Sequence, residues 1–270
     1  MKKKTAYLLI LVLLFSMLSA VACGKDNSAS DEDMTLLEEV QKRGTIIIAT
    51  EGTWAPWTFH DENDKLVGFD IEVAEAVCEK MGLKAEFVEA EWDGILAGVE
   101  SGRYDIAANG VEIDEDRLEK YFFCEPYAYI HTALIVQDSN EEIKSFEDLN
   151  GKTTANTLQS TYAKLAESYG ATVTGVDDLA QTIELLLQGR IDATLNADVS
   201  YYDYVKEHPE AAIKLVATTE DASSVAFPVK KTDRNKTFIE AVNKALQELM
   251  DEGRIAEISI KYFGSDITRK

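Results

Sequence analysis

Thr45-Ile46-Ile47-Ile48-Ala49-Thr50, set between Gly44 and Gly52, is a run of β-branched and small residues. That is the composition of a strand buried on both faces. Downstream, Ile71, Ala74, Val77, Cys78 and Met81 recur at three- and four-residue steps and stop at Gly82. The spacing predicts an amphipathic helix closed by a glycine. Lys84–Glu89 reads as a second strand, Trp92–Ser101 as a short helix with Ile95, Leu96 and Val99 inward, and Tyr104–Ala108 as a third strand. Strand, helix, strand, helix, strand is the pattern of a parallel sheet with crossover helices.

The pattern recurs without close identity between the copies. After a helical turn at Ile143–Leu149, strands are expected at Lys152–Asn156, Thr172–Val176 and Ile191–Asn196, with helices at Thr161–Tyr169 and Leu179–Leu187 between them. Lys214–Ala217 and Ser224–Val229 read as further strands. Lys236–Met250 reads as a long helix with Ile239, Val242, Leu246 and Leu249 on one face, and a last helical segment ends near Tyr262-Phe263-Gly264. Two α/β lobes fit the length of 270 residues. Ligands bind outside the carboxyl ends of parallel strands, so two facing lobes make a cleft.

Composition narrows the function. With 46% hydrophobic residues the chain has the apolar content for a core. Lys and Arg total 27 against 49 Asp and Glu, a formal charge of -22. Phosphate backbones repel such a surface, so no nucleic-acid partner is expected. The three Cys are too few for a disulfide scaffold. Cys78 on the helix stripe and Cys124 after Phe122-Phe123 read as buried thiols. His60, His131 and His208 are scattered, with no metal-ligand spacing, and no Ser sits in a nucleophile-elbow pattern. No metal, cofactor or catalytic residue is implied.

At the N-terminus, Lys2, Lys3 and Lys4 precede an apolar run from Ala6 to Phe15 that continues more weakly to Ala22. This is the order of an export signal. The run ends Ser19-Ala20-Val21-Ala22-Cys23, which resembles the bacterial lipoprotein processing box. The resemblance implies a signal peptide over 1–22, an acylated (palmitate-carrying) Cys23 in the lipid bilayer, and a flexible tether over 23–33. The domain would then be lipid-anchored at the cell membrane, facing outside at the extracellular face or in the periplasm. An ordinary signal peptide with an incidental Cys is the other reading.

Gly68-Phe69-Asp70-Ile71-Glu72-Val73-Ala74 resembles a motif of the amino-acid-binding (family 3) extracellular solute-binding proteins of ABC importers. Trp92-Asp93-Gly94-Ile95, Gly102-Arg103-Tyr104-Asp105, the segment Gly110–Arg117, Glu125-Pro126-Tyr127, Gly189-Arg190-Ile191-Asp192-Ala193 and Ala226-Phe227-Pro228-Val229 follow in the family's order. The resemblance implies a two-lobed clamshell, each lobe a mainly parallel sheet flanked by helices, joined by a two-strand hinge. Lobe 1 would span 34–128 and 226–270 and lobe 2 133–221, with hinges near 127–132 and 222–225. It implies the substrate-binding component of an amino-acid importer, a monomer delivering a free amino acid to a permease and ATPase that are separate chains. An enzyme on the same fold, a dehydratase of the cyclohexadienyl or arogenate type, is the alternative.

The same resemblance implies roles at the site. Arg117 matches the carboxylate-binding arginine, whose guanidinium fork suits a carboxylate; a surface Arg paired with Asp114 or Glu115 is the plainer reading. Ser160 and Thr161 open a helix whose free N–H groups would hold the same carboxylate from the opposite lobe, or are a simple cap. Trp54 and Trp92 match aromatic walls over the ligand side chain, and Glu51 an acid near its distal end. Trp57 and Phe59 are assigned to core. The Gly110 carbonyl would accept from the α-ammonium. Glu112 stands where many relatives have Thr, and Ala197 where many have an ammonium-binding Asp. Glu112, or Asp198 after a one-residue shift, is therefore expected to take the ammonium. Glu51, Glu112 and Asp198 together favour a cationic side chain, whereas Leu179-Ala180-Gln181 and Thr194-Leu195-Asn196 resemble relatives associated with cystine and other polar amino acids.

Overall fold

The structure, a computed structural model, describes residues 34–270. The expected signal peptide, Cys23 and tether lie outside the described residues.

The chain opens with α1 (Leu36–Arg43), capped by Thr35 in a reciprocal capping box with Glu38, and β1 (Thr45–Thr50). A small antiparallel sheet follows, of β2 (Thr53–Trp54), β3 (Thr58–His60) and β4 (Leu66–Val67). Then come α2 (Phe69–Lys80), β5 (Lys84–Glu89), α3 (Trp92–Ser101) and β6 (Ile106–Ala107). β1 lies between β5 and β6 in a parallel sheet, with Thr45 opposite Lys84 and Ile48 opposite both Phe87 and Ile106. The β-branched run is buried as its composition requires: Ile46, Ile48 and Ala49 have no exposed surface. β6 is shorter than the strand expected over 104–108. The Asp105 carboxylate turns inward, accepts from the Ile47 N–H at 2.7 Å and pairs with Arg43.

α2 starts at Gly68 because nothing larger fits. Its φ is +138°, and a Cβ there would sit 2.2 Å from the Trp57 carbonyl oxygen. Phe69, fully buried one residue later, meets Trp57 edge-on at 5.6 Å and Phe263 at 5.0 Å. Burying such a side chain is worth about 1.5–3 kcal/mol. Cys78 and Cys124 are buried free thiols; burial pushes Cys78 up to about 12 and Cys124 higher still, so both stay protonated and unreactive.

After α4 (Glu115–Lys120) and β7 (Tyr121–Phe123), β8 (Ala128–Ile130) leads into β9 (Thr132–Gln137), the centre of the second lobe. This lobe holds β10 (Thr153–Asn156), α5 (Thr161–Ser168), β11 (Thr172–Gly175), α6 (Leu179–Leu187), β12 (Thr194–Ala197), α7 (Asp198–Glu207) and β13 (Ile213–Thr218). β10 and β11 are parallel around α5, and Thr154 bridges to Ala193 in parallel. β9, however, runs antiparallel to both β12 and β13, so the sheet is mixed rather than a second all-parallel copy. The reason is connectivity: β9 enters the lobe and β13 leaves it toward the first.

β14 (Ser223–Val225) pairs antiparallel with β8, and these two strands connect the lobes. β15 (Pro228–Lys230) pairs with β7, and α8 (Lys236–Asp251) and α9 (Arg254–Phe263) pack on α2, so the C-terminus completes the first lobe. The single strand expected over 224–229 is thus two strands serving different sheets.

Candidate functional site

The carboxyl ends of the first lobe's strands deliver Glu51 after β1 and Asn109-Gly110 after β6. Opposite them, the second lobe presents Asn156 at the end of β10, the start of α5 and the start of α6. Together they line a cavity. From the first lobe it is lined by Glu51, Trp54, Trp92, Gly110, Glu112 and Arg117, and from the second by Asn156, Ser160, Thr161, Tyr162, Asp178 and Asn196, among others.

Arg117 is 5% exposed. The segment 111–113 that leads to it is stitched to the connecting strand β14: Ile113 N–H donates to the Ser224 carbonyl at 2.9 Å, and Ala226 N–H to the Val111 carbonyl at 3.0 Å. Asp114 caps α4, accepting from the Arg117 N–H at 2.9 Å, and its other oxygen pairs with Arg117 Nε at 3.2 Å. Nη1 donates to the Glu112 carbonyl at 2.8 Å, Nη2 reaches the Gln159 carbonyl of the other lobe at 3.4 Å, and the guanidinium lies 5.3 Å from the Trp92 ring. The arginine pairs with Asp114, as its plainer reading has it, but it is buried in the cavity lining rather than at the surface.

On the facing lobe, Ser160 Oγ accepts from the Ala163 N–H at 3.1 Å and caps α5. Gln159 before it has φ +60°, the left-handed region that a side chain makes costly. Thr161 Oγ1 donates to Glu112 Oε1 across the cleft. Glu112 is 4% exposed.

Two buried groups that the sequence reading did not place in the site hold its first-lobe wall. Asn109 donates through Nδ2 to Glu51 Oε2 at 2.6 Å and accepts through Oδ1 from the Glu51 N–H at 2.7 Å. Asp70, fully buried, accepts through Oδ2 from the Gly110 N–H at 2.5 Å and from the Tyr127 hydroxyl at 3.0 Å. Burial pushes Asp70 up to about 7 against those two bonds. Gly110 has φ +57°, and a Cβ there would fall 2.6 Å from the Trp54 ring. Trp54 stacks on Trp57 at 5.5 Å. Trp57 is core, as expected, and donates to Ser200 Oγ of the second lobe at 3.2 Å; Phe59 is half-buried, edge-on to Tyr262 at 6.4 Å.

Glu51 is raised to about 7, by burial first and then by the Asp178 and Asp93 charges, with the Asn109 bond opposing. Asp178, also missed from sequence, caps α6. A local signal for Asp178 existed, since it lies at a helix start, but a cap explains such a residue without a ligand. Asp70 lies inside α2 and caps nothing, and its partner Gly110 is remote in sequence. Among the sequence candidates, Asp198 is the one left outside the cavity lining. Its Oδ1 accepts from the N–H groups of Val199 at 2.9 Å and His131 at 3.3 Å, which turns the carboxylate toward the connecting strand. The one-residue shift does not bring it to the site. Two buried atoms of cavity-lining residues have no protein partner: Trp54 Nε1 and Asn156 Oδ1.

Residues 46–265 match the family of bacterial extracellular solute-binding proteins, family 3. The chain belongs to that family. Its family 3 relatives include a probable amino-acid ABC transporter-binding protein of Haemophilus influenzae, 41% identical over 87% of this chain and 90% of that one. An L-cystine-binding protein of Bacillus subtilis is 37% identical over 99% of this chain and 100% of that one. Among solved structures, an ancestral arginine-binding protein bound to arginine superposes with a TM-score of 0.76 at 37% identity, covering 82% of this chain and 99% of that one. These family 3 relatives are substrate-binding proteins and not enzymes. The dehydratase alternative has the weaker support of one solved structure, an ancestral amino-acid-binding protein described as a precursor of cyclohexadienyl dehydratase, which superposes with a TM-score of 0.77 at 30% identity. For a family 3 cleft the chemistry is complementary to a small zwitterion: a buried guanidinium and a helix N-terminus for an anion, a buried carboxylate and a carbonyl for a cation.

Proposed function

We propose that this chain is the substrate-binding component of an ABC amino-acid importer, capturing a free polar amino acid, cystine-like or cationic, between its lobes. The observation that carries the reading is Arg117, buried in the cavity wall of one lobe and facing the N-terminus of α5 in the other. In this proposal Arg117, Ser160 and Thr161 hold the ligand carboxylate. Glu112 and the Gly110 carbonyl hold its ammonium, and Trp54, Trp92 and Glu51 surround its side chain. Charge-assisted bonds of this kind contribute about 1.5–3 kcal/mol each.

The lobes would be 34–128 with 226–270, and 133–221, closing about 127–132 and 222–225. The pairing of β8 with β14 supports that placement of the hinge. A ligand that touches both lobes only when they are shut makes closure ligand-dependent. The chain would act as a monomer, anchored through acylated Cys23 at the outer face of the membrane. It would deliver its ligand to a permease and ATPase supplied by other chains.

The test is a thermal-shift screen against the twenty amino acids, cystine and ornithine, followed by calorimetry on the hits. A ligand at about 100 times its Kd stabilises by about 2.7 kcal/mol. Absence of any stabilising amino acid overturns the proposal.

A further inference from the structure

The cavity carries more acid than a zwitterion uses. Its lining holds three carboxylates, Glu51, Glu112 and Asp178, against one cation, Arg117. If Arg117 neutralises the ligand carboxylate and Glu112 its ammonium, Glu51 and Asp178 face the remaining space with no counter-charge among the lining residues. They come from opposite lobes, one following β1 and the other capping α6. Asp178 takes part in bonds only with its own helix, from the Gln181 N–H at 2.8 Å and Gln181 Nε2 at 3.0 Å. A carboxylate offers about four lone-pair sites, so acceptor capacity remains on both of its oxygens. The two carboxylates sense one another: the Asp178 charge is among the causes that hold Glu51 far above its usual range.

A second observation points the same way independently. Asn156 is 3% exposed. Its Nδ2 donates to the Leu195 carbonyl at 2.7 Å, which fixes the amide orientation and leaves Oδ1 as a buried acceptor without a donor. Asn156 lines the same cavity, so an N–H of a ligand there would satisfy that acceptor. The adjoining groove, which shares Trp92 and Thr157 with the cavity, adds Glu91, Asp93 and Asp177 and no basic residue.

We infer that Asp178 of the second lobe and Glu51 of the first form a receiving site for a cationic nitrogen at the far end of the ligand, and that Asp178 sets the preference for ligands carrying one. The inference rests on the amino-acid-binding reading above. The ligand class is an amino acid whose side chain ends in an ammonium or guanidinium, or a disulfide-linked diamino acid that offers its second α-ammonium. Because the two acids belong to different lobes, such a nitrogen is fully paired only when the cleft is shut. The same contact therefore selects the ligand and favours closure.

Calorimetry on the full chain with three matched pairs tests this: L-arginine against L-citrulline, L-lysine against L-norleucine, and L-cystine against the mixed disulfide of cysteine with 3-mercaptopropionate, which lacks only the distal ammonium. The expected result is that the cationic member of at least one pair binds about tenfold tighter or more, and that Asp178→Asn narrows that gap by about tenfold, 1.4 kcal/mol. Asn is as good a helix cap as Asp, so the fold is kept; an unchanged melting temperature of the free protein checks this, with Asp178→Ser as the second variant. The pair that responds identifies the source of the cation. Equal binding of the two members of every pair, or an Asp178→Asn loss that is the same for both members, overturns the inference while leaving amino-acid binding intact. If no amino acid binds at all, the parent reading fails with it.

Discussion

The Thr161 hydroxyl of the second lobe donates to the Glu112 carboxylate of the first, so a buried acid closes the cleft from within. Glu112 is pinned to β14 by its backbone bridge to Val225, which places this contact one residue pair away from the connecting strands. If Glu112 holds the ligand ammonium, Thr161 orients it. Glu112→Gln should then weaken ligand binding by about ten- to a hundredfold, the range of one charge-assisted bond. Calorimetry reads the change; a variant that binds as tightly as the parent removes Glu112 from the ammonium site.

Arg117 should tolerate no replacement. Arg117→Ala is expected to cost at least about a hundredfold in ligand affinity, because truncating one partner of a buried charged contact costs about 2–5 kcal/mol. Arg117→Lys should recover little of it, since an ammonium cannot make the fork that reaches Asp114, the Glu112 carbonyl and the Gln159 carbonyl together. Near-parental affinity in the lysine variant would place the carboxylate elsewhere.

Acidity should stabilise the ligand-free fold through two groups. Asp70 and Glu51 are both raised to about 7, above reference values of 3.8 and 4.5. Between those values and about 7 the folded state holds protons that the unfolded state has released. Their contribution to stability is therefore fully present below the unfolded values and is lost as pH rises through about 7. The melting temperature of Glu51→Gln should fall less than that of the parent between pH 5.5 and 8. Identical pH profiles would contradict it. Cationic ligands should gain affinity over the same rise, as Glu51 ionises.

Gly110→Ala should disturb the aromatic wall. The left-handed φ and the 2.6 Å approach to Trp54 leave no room for a methyl group. The variant is expected to lose about 1–3 kcal/mol of stability and to shift tryptophan emission. An unchanged melt and spectrum would show that the loop yields.

At the cleft rim, Lys164 of the second lobe pairs with Asp116 at 2.7 Å and Asp114 at 3.4 Å of the first. Lys164 is about two-fifths exposed and Asp116 more so, so the pair contributes little and is weakened by salt. Lys164→Ala should lower ligand affinity a few-fold at low ionic strength and very little in high salt. A loss that persists in high salt would point to packing rather than charge.

The helices with strong apolar periodicity were legible from sequence: α3 and α6 have the bounds their spacing predicts, and α2 differs by two residues at its start. Strand direction was not. Nothing in the residues of β9 shows that it runs against both neighbours, because direction follows from where the chain enters the lobe. α7 escaped notice because its Tyr-rich sequence has little apolar periodicity. Of the residues that line or brace the cavity, those of the first-lobe motifs and of the α5 start stand out in the sequence, whereas Asn109, Asp70 and Asp178 do not. Their partners lie 58 and 40 residues away in the case of Asn109 and Asp70, and Asp178 passes locally as a cap. Asp198 failed for the complementary reason: an acid at the right place in the chain spends its oxygens on nearby backbone.

The pairing of β15 with β7 makes the first lobe discontinuous in sequence, with the whole second lobe inserted between its halves. During synthesis the inserted part can assemble as soon as β13 has emerged, but Tyr121–Phe123 waits for Pro228–Lys230, and α2 waits for both terminal helices. Such distant closures are slow to form. The first lobe is accordingly the last part to close, only after the strand and the two helices that follow the inserted lobe have been made.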